Sequence, residues 1–262
     1  MVEKTIAVLE GDGIGSEIVA EAIKVLDAVA LIYGHRFHYK YAPFGANAWR
    51  THGHVFPEET KSICDVADAI MKGPIGDSSI DKLIENPDER PEGGALLPLR
   101  KRYDAYANFR PVVLPQSLRE ASPLKDRAIG EGIDILMIRE LVGGIYFGKK
   151  VEDKINEGER DDFPVGMRYA LDECVYNEHQ VARIARVAFK EAQKRNKKLH
   201  NIHKANVVAT GRFWNKIVAQ VAKEFPDVEV SHCLVDSAAT YLVTSPYRFN
   251  GVMLLENMQG DI

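Results

Sequence analysis

Short apolar runs rich in β-branched residues alternate along this sequence with stretches whose apolar residues recur every three or four positions. The first pattern is typical of buried strands and the second of amphipathic helices. Strands are predicted over residues 5–9, 37–41, 67–71, 106–113, 133–138, 228–235 and 252–255, with a short one from near 200 to 208. Helices are predicted after Ser16 and over residues 57–64, 96–103, 177–198, 213–225 and 238–243. This alternation predicts an α/β fold whose strands are largely parallel.

Length and charge limit the class of protein. The 262 residues are enough for one large domain or two small ones. A net charge of −4, from 34 basic and 38 acidic side chains, argues against a general nucleic-acid binder. The three cysteines, Cys64, Cys174 and Cys233, are too sparse for a disulfide framework or a zinc motif. The N-terminus is unlike a signal peptide and no apolar run reaches membrane-spanning length, so we expect a cytoplasmic protein with no membrane partner.

A glycine-rich turn, residues 11–15, joins the first predicted strand to the first predicted helix, for which Ser16 is the expected N-cap. The turn departs from the dinucleotide-binding pattern G-x-G-x-x-G, because Ser16 stands where the last glycine belongs. It also lacks the lysine of a P-loop. The turn is therefore only a weak signal for a Rossmann fold.

Three arginines lie beside apolar segments: Arg100, Arg110 and Arg139. A guanidinium in such a position is expected to be partly buried and therefore paired. Arginine can clasp a carboxylate through two parallel hydrogen bonds, so the three could bind a diacid. Internal salt bridges to Asp or Glu explain the same pattern, and the spacing leaves both explanations open.

Two further side chains suit proton transfer. Tyr146 follows two glycines and could donate a proton, although a packed strand residue has the same pattern. Lys204 lies at the predicted end of a strand, where loss of solvent would lower its pKa and favour a base, although a surface lysine is the simpler explanation.

Two aspartates follow apolar strands near the end of the sequence, Asp236 and Asp261. The carboxyl ends of strands are where α/β folds usually bind ligands. Carboxylate oxygens suit Mg²⁺ or Mn²⁺, so the pair predicts a divalent metal site. For Asp236, helix N-capping is the alternative.

Six segments taken in order resemble the signature segments of one enzyme family. They are LLPLRK (96–101), YANFRPV (106–112), RELVGGIYFG (139–148), KANVV (204–208), LVDSAA (234–239) and ENMQGDI (256–262). They resemble the isocitrate/isopropylmalate dehydrogenase family, and within it the 3-isopropylmalate dehydrogenases. The opening LEGDGIGSEI is similar to that family's first strand and turn, so the resemblance covers essentially the whole chain.

The resemblance implies an α/β two-domain fold of the isopropylmalate dehydrogenase type, which is not a Rossmann fold. Residues 1–105 would form the N-terminal part of the first, cofactor-side domain. Residues 106–255 would form the second domain, with the dimer interface and an intersubunit arm near 149–175. Residues 256–262 would begin the return to the first domain. The partner would be a second copy of the chain, and the two active sites would be shared.

The implied reaction is the oxidative decarboxylation of (2R,3S)-3-isopropylmalate to 4-methyl-2-oxopentanoate in leucine biosynthesis, with NAD and Mg²⁺ or Mn²⁺. The resemblance makes Tyr146 and Lys204 catalytic. The substrate-binding residues would be Leu96, Arg100, Arg110 and Arg139. Ile14 and Asn206 would bind the cofactor, and Asp236 and Asp261 the metal. Lys204 and Asp236 would come from the partner subunit.

Several departures keep alternatives open. MKGPIG (71–76) is more similar to isocitrate or tartrate enzymes, so isocitrate, homoisocitrate and tartrate/D-malate dehydrogenases remain alternatives, as does NADP. Gln259 replaces the family's usual Phe, and His203 stands where an Asp usually precedes the lysine. Family members continue past GDI, so we expect a truncated chain with an incomplete first domain. A catalytically incompetent product with only a binding or dimerisation role is the competing interpretation.

Overall fold

The computed structural model describes all of residues 1–262, which form two compact units, Met1–Tyr103 and Asp104–Ile262. No helix in either unit combines the length and the apolar character needed to cross a membrane. The three cysteines are unpaired.

The first unit is a small parallel sheet with helices packed on it. Its elements are β1 (Glu3–Leu9), α1 (Gly15–Tyr33), β2 (Arg36–Tyr41), α2 (Ala46–His52), α3 (Glu58–Asp65), β3 (Ala69–Lys72), α4 (Ser78–Asp81) and α5 (Leu97–Arg102). The strand order is β2-β1-β3, and β1 pairs parallel with both neighbours. The buried rings of Phe44 and Phe56 meet edge to face, 5.3 Å between centroids, in the core on one side of β1.

The first helix starts without the expected cap. Helix α1 begins at Gly15, and its N-cap residue Ile14 makes no side-chain capping bond. The prediction that Ser16 is the N-cap is therefore wrong. The Gly15 amide donates instead to the backbone oxygen of Asp12, 2.9 Å away. The tight glycine turn thus satisfies a helix donor that a capping side chain would otherwise bind.

Residues 73–94 are rich in Gly, Pro, Asp and Ser, and the sequence predicts no helix or strand there, but the segment is partly helical. It contains α4, a 3-10 turn (Pro87–Glu89) and most of a π-helical turn (Pro91–Leu96) that leads directly into α5. Each of these pieces is six residues or shorter, which is too short to show an apolar period in the sequence.

The second unit contains a five-stranded sheet and a separate two-stranded one. Its elements are β4 (Ala107–Leu114), α6 (Asp126–Ile129), β5 (Ile133–Glu140), β6 (Lys150–Ile155), β7 (Arg168–Asp172), α7 (Glu178–Gln193), β8 (Lys198–His203), α8 (Ala209–Ala222), β9 (Glu229–Leu234), α9 (Val235–Thr244) and β10 (Gly251–Leu255). The large sheet has the order β4-β5-β10-β8-β9. Only β4 is antiparallel, so the other four strands end at the same edge. The α/β prediction with largely parallel strands is confirmed.

The large sheet is covered on both faces. Helices α7 and α8 pack on one face around Ile184, Phe189 and Trp214, and α9 packs on the other beside Ile202 and Met253. The charged stretch near 149–175 forms the β6–β7 antiparallel hairpin. Strands buried on both faces read as continuous apolar runs, which is why β5 and β10 were recognisable in the sequence.

Several predicted boundaries in this unit are wrong, and the structure explains two of them. Helix α7 starts at its capping box of Asn177 and Gln180 but ends at Gln193, not at 198. Lys197 adopts a left-handed backbone, φ 59°, which stops the helix before β8. The predicted strand to Val208 ends at His203, because the amides of Val207 and Val208 both donate to the Lys204 oxygen and form a turn.

Candidate active site

The carboxyl edge of the parallel strands carries four of the predicted site residues. Tyr146 lies in the loop after β5, Lys204 follows β8, Asp236 lies in the first turn of α9 after β9, and Asp261 follows β10. This edge is where ligands bind in open α/β sheets. Within the second unit, these residues form two clusters.

The first cluster is built around Arg139 at the end of β5. Its side chain is only 2% exposed, and Nη1 forms an ion pair with Asp261. Nε and Nη2 donate to Oδ1 of the buried Asn257, 3.2 and 2.8 Å away. A Cβ atom on Gly260 would lie 2.8 Å from Cγ of Arg139, so glycine is required for the final turn to pack here. The expectation that Arg139 is buried and paired is confirmed.

Tyr146 completes this cluster. Its hydroxyl donates to Oδ2 of Asp261 at 2.9 Å, and the Arg139 guanidinium lies 6.0 Å from the ring centroid. Burial raises the pKa of Tyr146, and the hydrogen bond to Asp261 raises it further. The phenol therefore holds its proton through neutral pH, as a proton donor requires.

Arg110 lies on the same face of the sheet as Arg139. In the antiparallel pairing of β4 with β5, Arg110 is opposite Met137, two residues before Arg139. Side chains two apart on a strand share a face, so the two guanidinium groups are diagonal neighbours. Contrary to expectation, Arg110 is exposed and makes no ion pair or hydrogen bond within the chain.

A buried polar network supports the loop between β5 and Tyr146. The carboxylate of Glu140, which is fully buried, accepts bonds from the amides of Val142 and Gly143 at 3.1 and 2.8 Å. Burial raises the pKa of Glu140, partly offset by these two bonds. The hydroxyl of Tyr176 donates to Oε2 of Glu256 at 2.7 Å. Nδ2 of Asn257 donates to the Gly143 oxygen at 2.9 Å, which ties the loop to the segment that carries Asp261.

The second cluster is the ion pair between Lys204 and Asp236. Lys204 Nζ lies 2.8 Å from Asp236 Oδ1, with side chains 29% and 60% exposed. The hydrogen bond from Lys204 lowers the pKa of Asp236. Asn206 lies in the exposed turn after Lys204. No hydrogen bond or ion pair joins this cluster to the Arg139 cluster, so one chain does not bring all the predicted residues into contact.

The first unit holds the remaining predicted residues. Leu96 and Arg100 are four positions apart across the junction of the π-helical turn with α5, and both are partly buried. Ile14 is 62% exposed at the tip of the glycine turn. Lys72, at the end of β3, donates to the Gly73 oxygen at 2.7 Å. Burial, followed by the charge of Arg100, lowers the pKa of Lys72.

Asp12 organises the glycine turn. Its side chain is 3% exposed and accepts three backbone hydrogen bonds, from Ala46, Asn47 and Gly76, at 2.9, 2.8 and 2.9 Å. Ala46 and Asn47 begin α2, and Gly76 lies in the segment after β3, so the donors come from two separate parts of the first unit. This single carboxylate therefore fixes the turn that presents Ile14.

The donors at the two clusters suit a hard cation. The chain brings together no group of three or more His, Cys, Asp or Glu side chains that could hold a metal. Mg²⁺ is nevertheless commonly held by one or two carboxylates together with water and substrate oxygens. Asp236 and Asp261 are partly exposed carboxylates at the ligand-binding edge, so their chemistry fits such an ion.

Residue-by-residue inspection of the sequence missed two site residues, Asn257 and Lys72. Asn257 directly follows a buried strand and lies within ENMQGDI, but its role as the acceptor for Arg139 depends on a contact 118 positions away. Lys72 lies within MKGPIG, where a cation after an apolar strand was the available signal.

Comparisons with known proteins agree with this geometry. The family model for isocitrate/isopropylmalate dehydrogenase matches residues 5–262. A 3-isopropylmalate dehydrogenase from Geobacter sulfurreducens is 47% identical over 257 residues, which cover 98% of this chain and 68% of that protein. The isocitrate dehydrogenase of Methylococcus capsulatus has a TM-score of 0.77 and 26% identity over 98% of this chain and 68% of that one.

A β-decarboxylating dehydrogenase from Thermococcus kodakarensis is also similar, with a TM-score of 0.68 and 30% identity over 98% of this chain and 65% of that one. The chain thus spans about two thirds of the length of these relatives. The fold expected from the six ordered segments is confirmed. The chain belongs to the isocitrate/isopropylmalate dehydrogenase family.

Proposed function

We propose that this chain oxidises and decarboxylates (2R,3S)-3-isopropylmalate to 4-methyl-2-oxopentanoate, a step of leucine biosynthesis, with NAD and Mg²⁺ or Mn²⁺. The observation that carries the proposal is the cluster of Tyr146, Asp261 and Arg139, which places a protonated phenol, a carboxylate and a guanidinium at the ligand-binding edge. The 3-isopropylmalate dehydrogenase that is 47% identical to this chain supports the choice of substrate.

The guanidinium groups of Arg110 and Arg139 would bind substrate carboxylates. Arg110 is exposed and has no internal partner, so its donors remain available. The substrate's hydroxyl proton would pass to the neutral amine form of Lys204 as the carbinol carbon gives a hydride to NAD. The carbinol has then lost the proton of its O–H bond and the hydride of its C–H bond. The product is a 2-oxo acid with a carboxylate β to the new ketone.

Decarboxylation follows from that product. The electrons of the bond to the departing CO₂ move toward the ketone oxygen and give an enolate. Tyr146 would then donate its proton to the carbon that lost CO₂. The raised pKa of Tyr146 keeps this proton in place until the carbanion character develops.

A divalent cation held by Asp236 and Asp261 would supply positive charge for the developing enolate oxygen. In the first unit, Leu96 would contact the apolar side chain of the substrate and Arg100 a carboxylate. Ile14 would contact the cofactor, and its exposed apolar side chain suits a flat ring. Asn206 would contact the cofactor through its exposed amide.

We also propose a cytoplasmic homodimer in which Lys204 and Asp236 serve the partner's site. The separation of the candidate residues into two clusters supports this arrangement, because neither cluster alone contains both the phenol and the lysine. The hairpin of β6 and β7 would contribute to the interface.

A second substrate is favoured by one observation. The pKa of Lys72 is lowered by burial and then by the charge of Arg100, so the two cations lie near each other and form a cationic patch. Such a patch would suit isocitrate, homoisocitrate or tartrate/D-malate, which offer an additional polar or anionic group.

The test is the appearance of reduced cofactor when the purified chain is mixed with Mg²⁺ or Mn²⁺, NAD or NADP, and each of these diacids. We expect NAD reduction to be fastest with 3-isopropylmalate. Faster reduction with isocitrate or tartrate would show that the second candidate is the substrate. A folded chain that reduces neither cofactor with any diacid would contradict the proposed activity.

A further inference from the structure

The turn that carries Lys204 is held by hydrogen bonds from both sides. The Lys204 oxygen accepts from the amides of Val207 and Val208, at 3.1 and 3.0 Å. Arg212, in the first turn of α8, donates to the Val207 oxygen at 3.2 Å and to the Ala205 oxygen at 3.4 Å. The Ala205 amide donates to Nδ1 of His203 at 3.2 Å. His203 is the only side chain that accepts a hydrogen bond from an amide of this turn.

Helix α8 packs against the peptide between Lys204 and Ala205. A Cβ atom on Gly211 would lie 2.9 Å from both the Ala205 nitrogen and the Lys204 carbonyl carbon. The peptide between Lys204 and Ala205 therefore lies directly against the backbone of α8. From this position its amide donates to Nδ1 of His203.

The bond fixes the state of the imidazole. Nδ1 must offer a lone pair to the Ala205 amide, so the neutral ring carries its proton on Nε2. The His203 side chain is 9% exposed, and Nε2 is buried without a hydrogen-bond partner. A buried donor without a partner is costly, so this arrangement persists because the surroundings hold the ring in place.

The neighbouring side chains also favour the neutral ring. The His232 ring on β9 lies 5.6 Å from His203 between centroids. Trp214 Nε1 donates to Oδ1 of Asn201 at 2.9 Å, which orients that amide so that Nδ2 donates to Nδ1 of His232 at 3.2 Å. Burial, followed by the charge of His232, lowers the pKa of His203.

The other elements add few charges near this ring. On α8 the nearby charge is Arg212, which is bonded to the turn oxygens. On α9 it is Asp236, which is bonded to Lys204. Strand β10, Gly251–Leu255, carries no titratable side chain.

We propose that neutral His203 is a positioning residue for Lys204: its Nδ1 holds the Ala205 amide and so fixes the turn from which Lys204 reaches Asp236. The catalytic consequence rests on the proposed function, whereas the contact itself does not. When His203 binds a second proton, Nδ1 becomes a donor and faces another donor. The turn then loosens, and activity falls as the pH is lowered through the pKa of His203.

The contact is tested first without any assay of activity. In the ¹⁵N NMR spectrum of the whole chain, we expect the His203 ring to show a bare Nδ1 and a protonated Nε2 at neutral pH. We expect the Ala205 amide resonance to shift with the same midpoint as the His203 ring as the pH is lowered. A protonated Nδ1 at neutral pH, or an Ala205 amide that does not follow the ring, would overturn the proposal.

Substitutions then test the consequence. His203→Leu removes the acceptor and is expected to lower kcat roughly ten- to hundredfold, the scale of a misplaced reacting group, with little change in KM. His203→Asn can accept the amide two residues ahead through an Asx turn and does not titrate. It should recover most of the lost kcat and move the acidic limb of the pH profile.

His179→Leu, the same change at an exposed position on α7, is the control for a general effect of the substitution. If His203→Leu does not fold, His203→Asn and the NMR titration decide the matter. Equal loss in His203→Asn and His203→Leu, or an acidic limb unchanged in His203→Asn, would show that His203 does not position Lys204. An inactive wild-type chain with the expected NMR titration would contradict the proposed function but retain this contact.

Discussion

At the scale of single residues, the carboxylate of Asp261 accepts hydrogen bonds from side chains that lie far away in the sequence. Arg139 is 122 positions and Tyr146 is 115 positions before it. One carboxylate therefore holds both the guanidinium and the phenol in place. The residue types and their positions after strands were visible in the sequence, but these pairings depend on how β5 and β10 lie together.

Replacing Tyr146 by Phe removes the hydroxyl and leaves the ring. We expect kcat to fall roughly a hundredfold or more, the usual contribution of a positioned proton donor, with KM nearly unchanged. Tyr33→Phe, on the exposed end of α1, is the matched control. Steady-state kinetics provide the measurement. A Tyr146→Phe variant within threefold of wild type, a roughly 0.6 kcal/mol effect, would remove Tyr146 from the proposed chemistry.

Glu140 gives a prediction about stability and pH. Its pKa is raised by burial, so the folded chain keeps this proton over a range of pH in which the unfolded chain has lost it. The contribution of Glu140 to stability therefore decreases as the pH rises through that range. Relative to Glu140→Gln, which can keep the two amide bonds, the wild type should lose stability between pH 5 and pH 8.

Urea denaturation of both proteins at the two pH values measures this difference. Any background pH dependence that the two proteins share cancels. A difference between the variant and the wild type that does not change with pH would contradict the raised pKa.

At the scale of elements, the apolar strands of the large sheet were predicted better than the helix ends. Strand β10 is buried throughout and contains no polar side chain, and β5 is apolar from Ile135 to Ile138. The end of α7 was misplaced because basic residues continue past Gln193, and only the left-handed backbone of Lys197 shows where the helix stops. The first turn of α1 was misread because a backbone bond replaces the capping side chain.

Gly144 tests the packing of the loop that follows β5. It has a positive φ of 74°, and a Cβ atom there would collide with the Tyr176 hydroxyl that binds Glu256. Gly144→Ala should cost about 1–3 kcal/mol of stability beyond a backbone-only effect, because the collision resembles overpacking. Gly166→Ala is the matched control, since Gly166 has a φ of 88° and nothing within 4 Å of its added Cβ.

Chemical denaturation of the two alanine variants measures the difference. Equal losses of stability would show that only the backbone conformation matters at Gly144. A larger loss in Gly144→Ala, accompanied by reduced activity, would link the Tyr176 contact to the position of Tyr146.

At the scale of the whole molecule, the second unit separates its candidate groups into two clusters. The phenol belongs to the Arg139 cluster, and the lysine is paired with Asp236 elsewhere on the same edge. The sequence predicted the parallel sheet and the family, but single-residue patterns could not show that one chain leaves these groups apart. In the strand order β5-β10-β8-β9, each cluster lies at the ends of its own pair of neighbouring strands, β5 with β10 and β8 with β9.

Mixing two inactive variants tests whether the sites are shared. Tyr146→Phe and Lys204→Ala each remove one member from every site. Random exchange of subunits makes half of the dimers mixed, and each mixed dimer regains one intact site, so about a quarter of the wild-type activity should return. Differently tagged subunits confirm the exchange. Exchange without recovered activity would show that Tyr146 and Lys204 serve the same subunit's site.

The carboxylate of Asp12 has a consequence for the order of folding. Its three amide donors lie 34, 35 and 64 positions away, so its bonds form only after β1, α2 and the segment beyond β3 have met. Contacts that join distant parts of the chain are made late, when most of the loop-closure entropy has already been lost. We therefore expect Asp12 to act on the lifetime of the native state. Asp12→Ala should accelerate unfolding in stopped-flow denaturation and leave the refolding rate nearly unchanged.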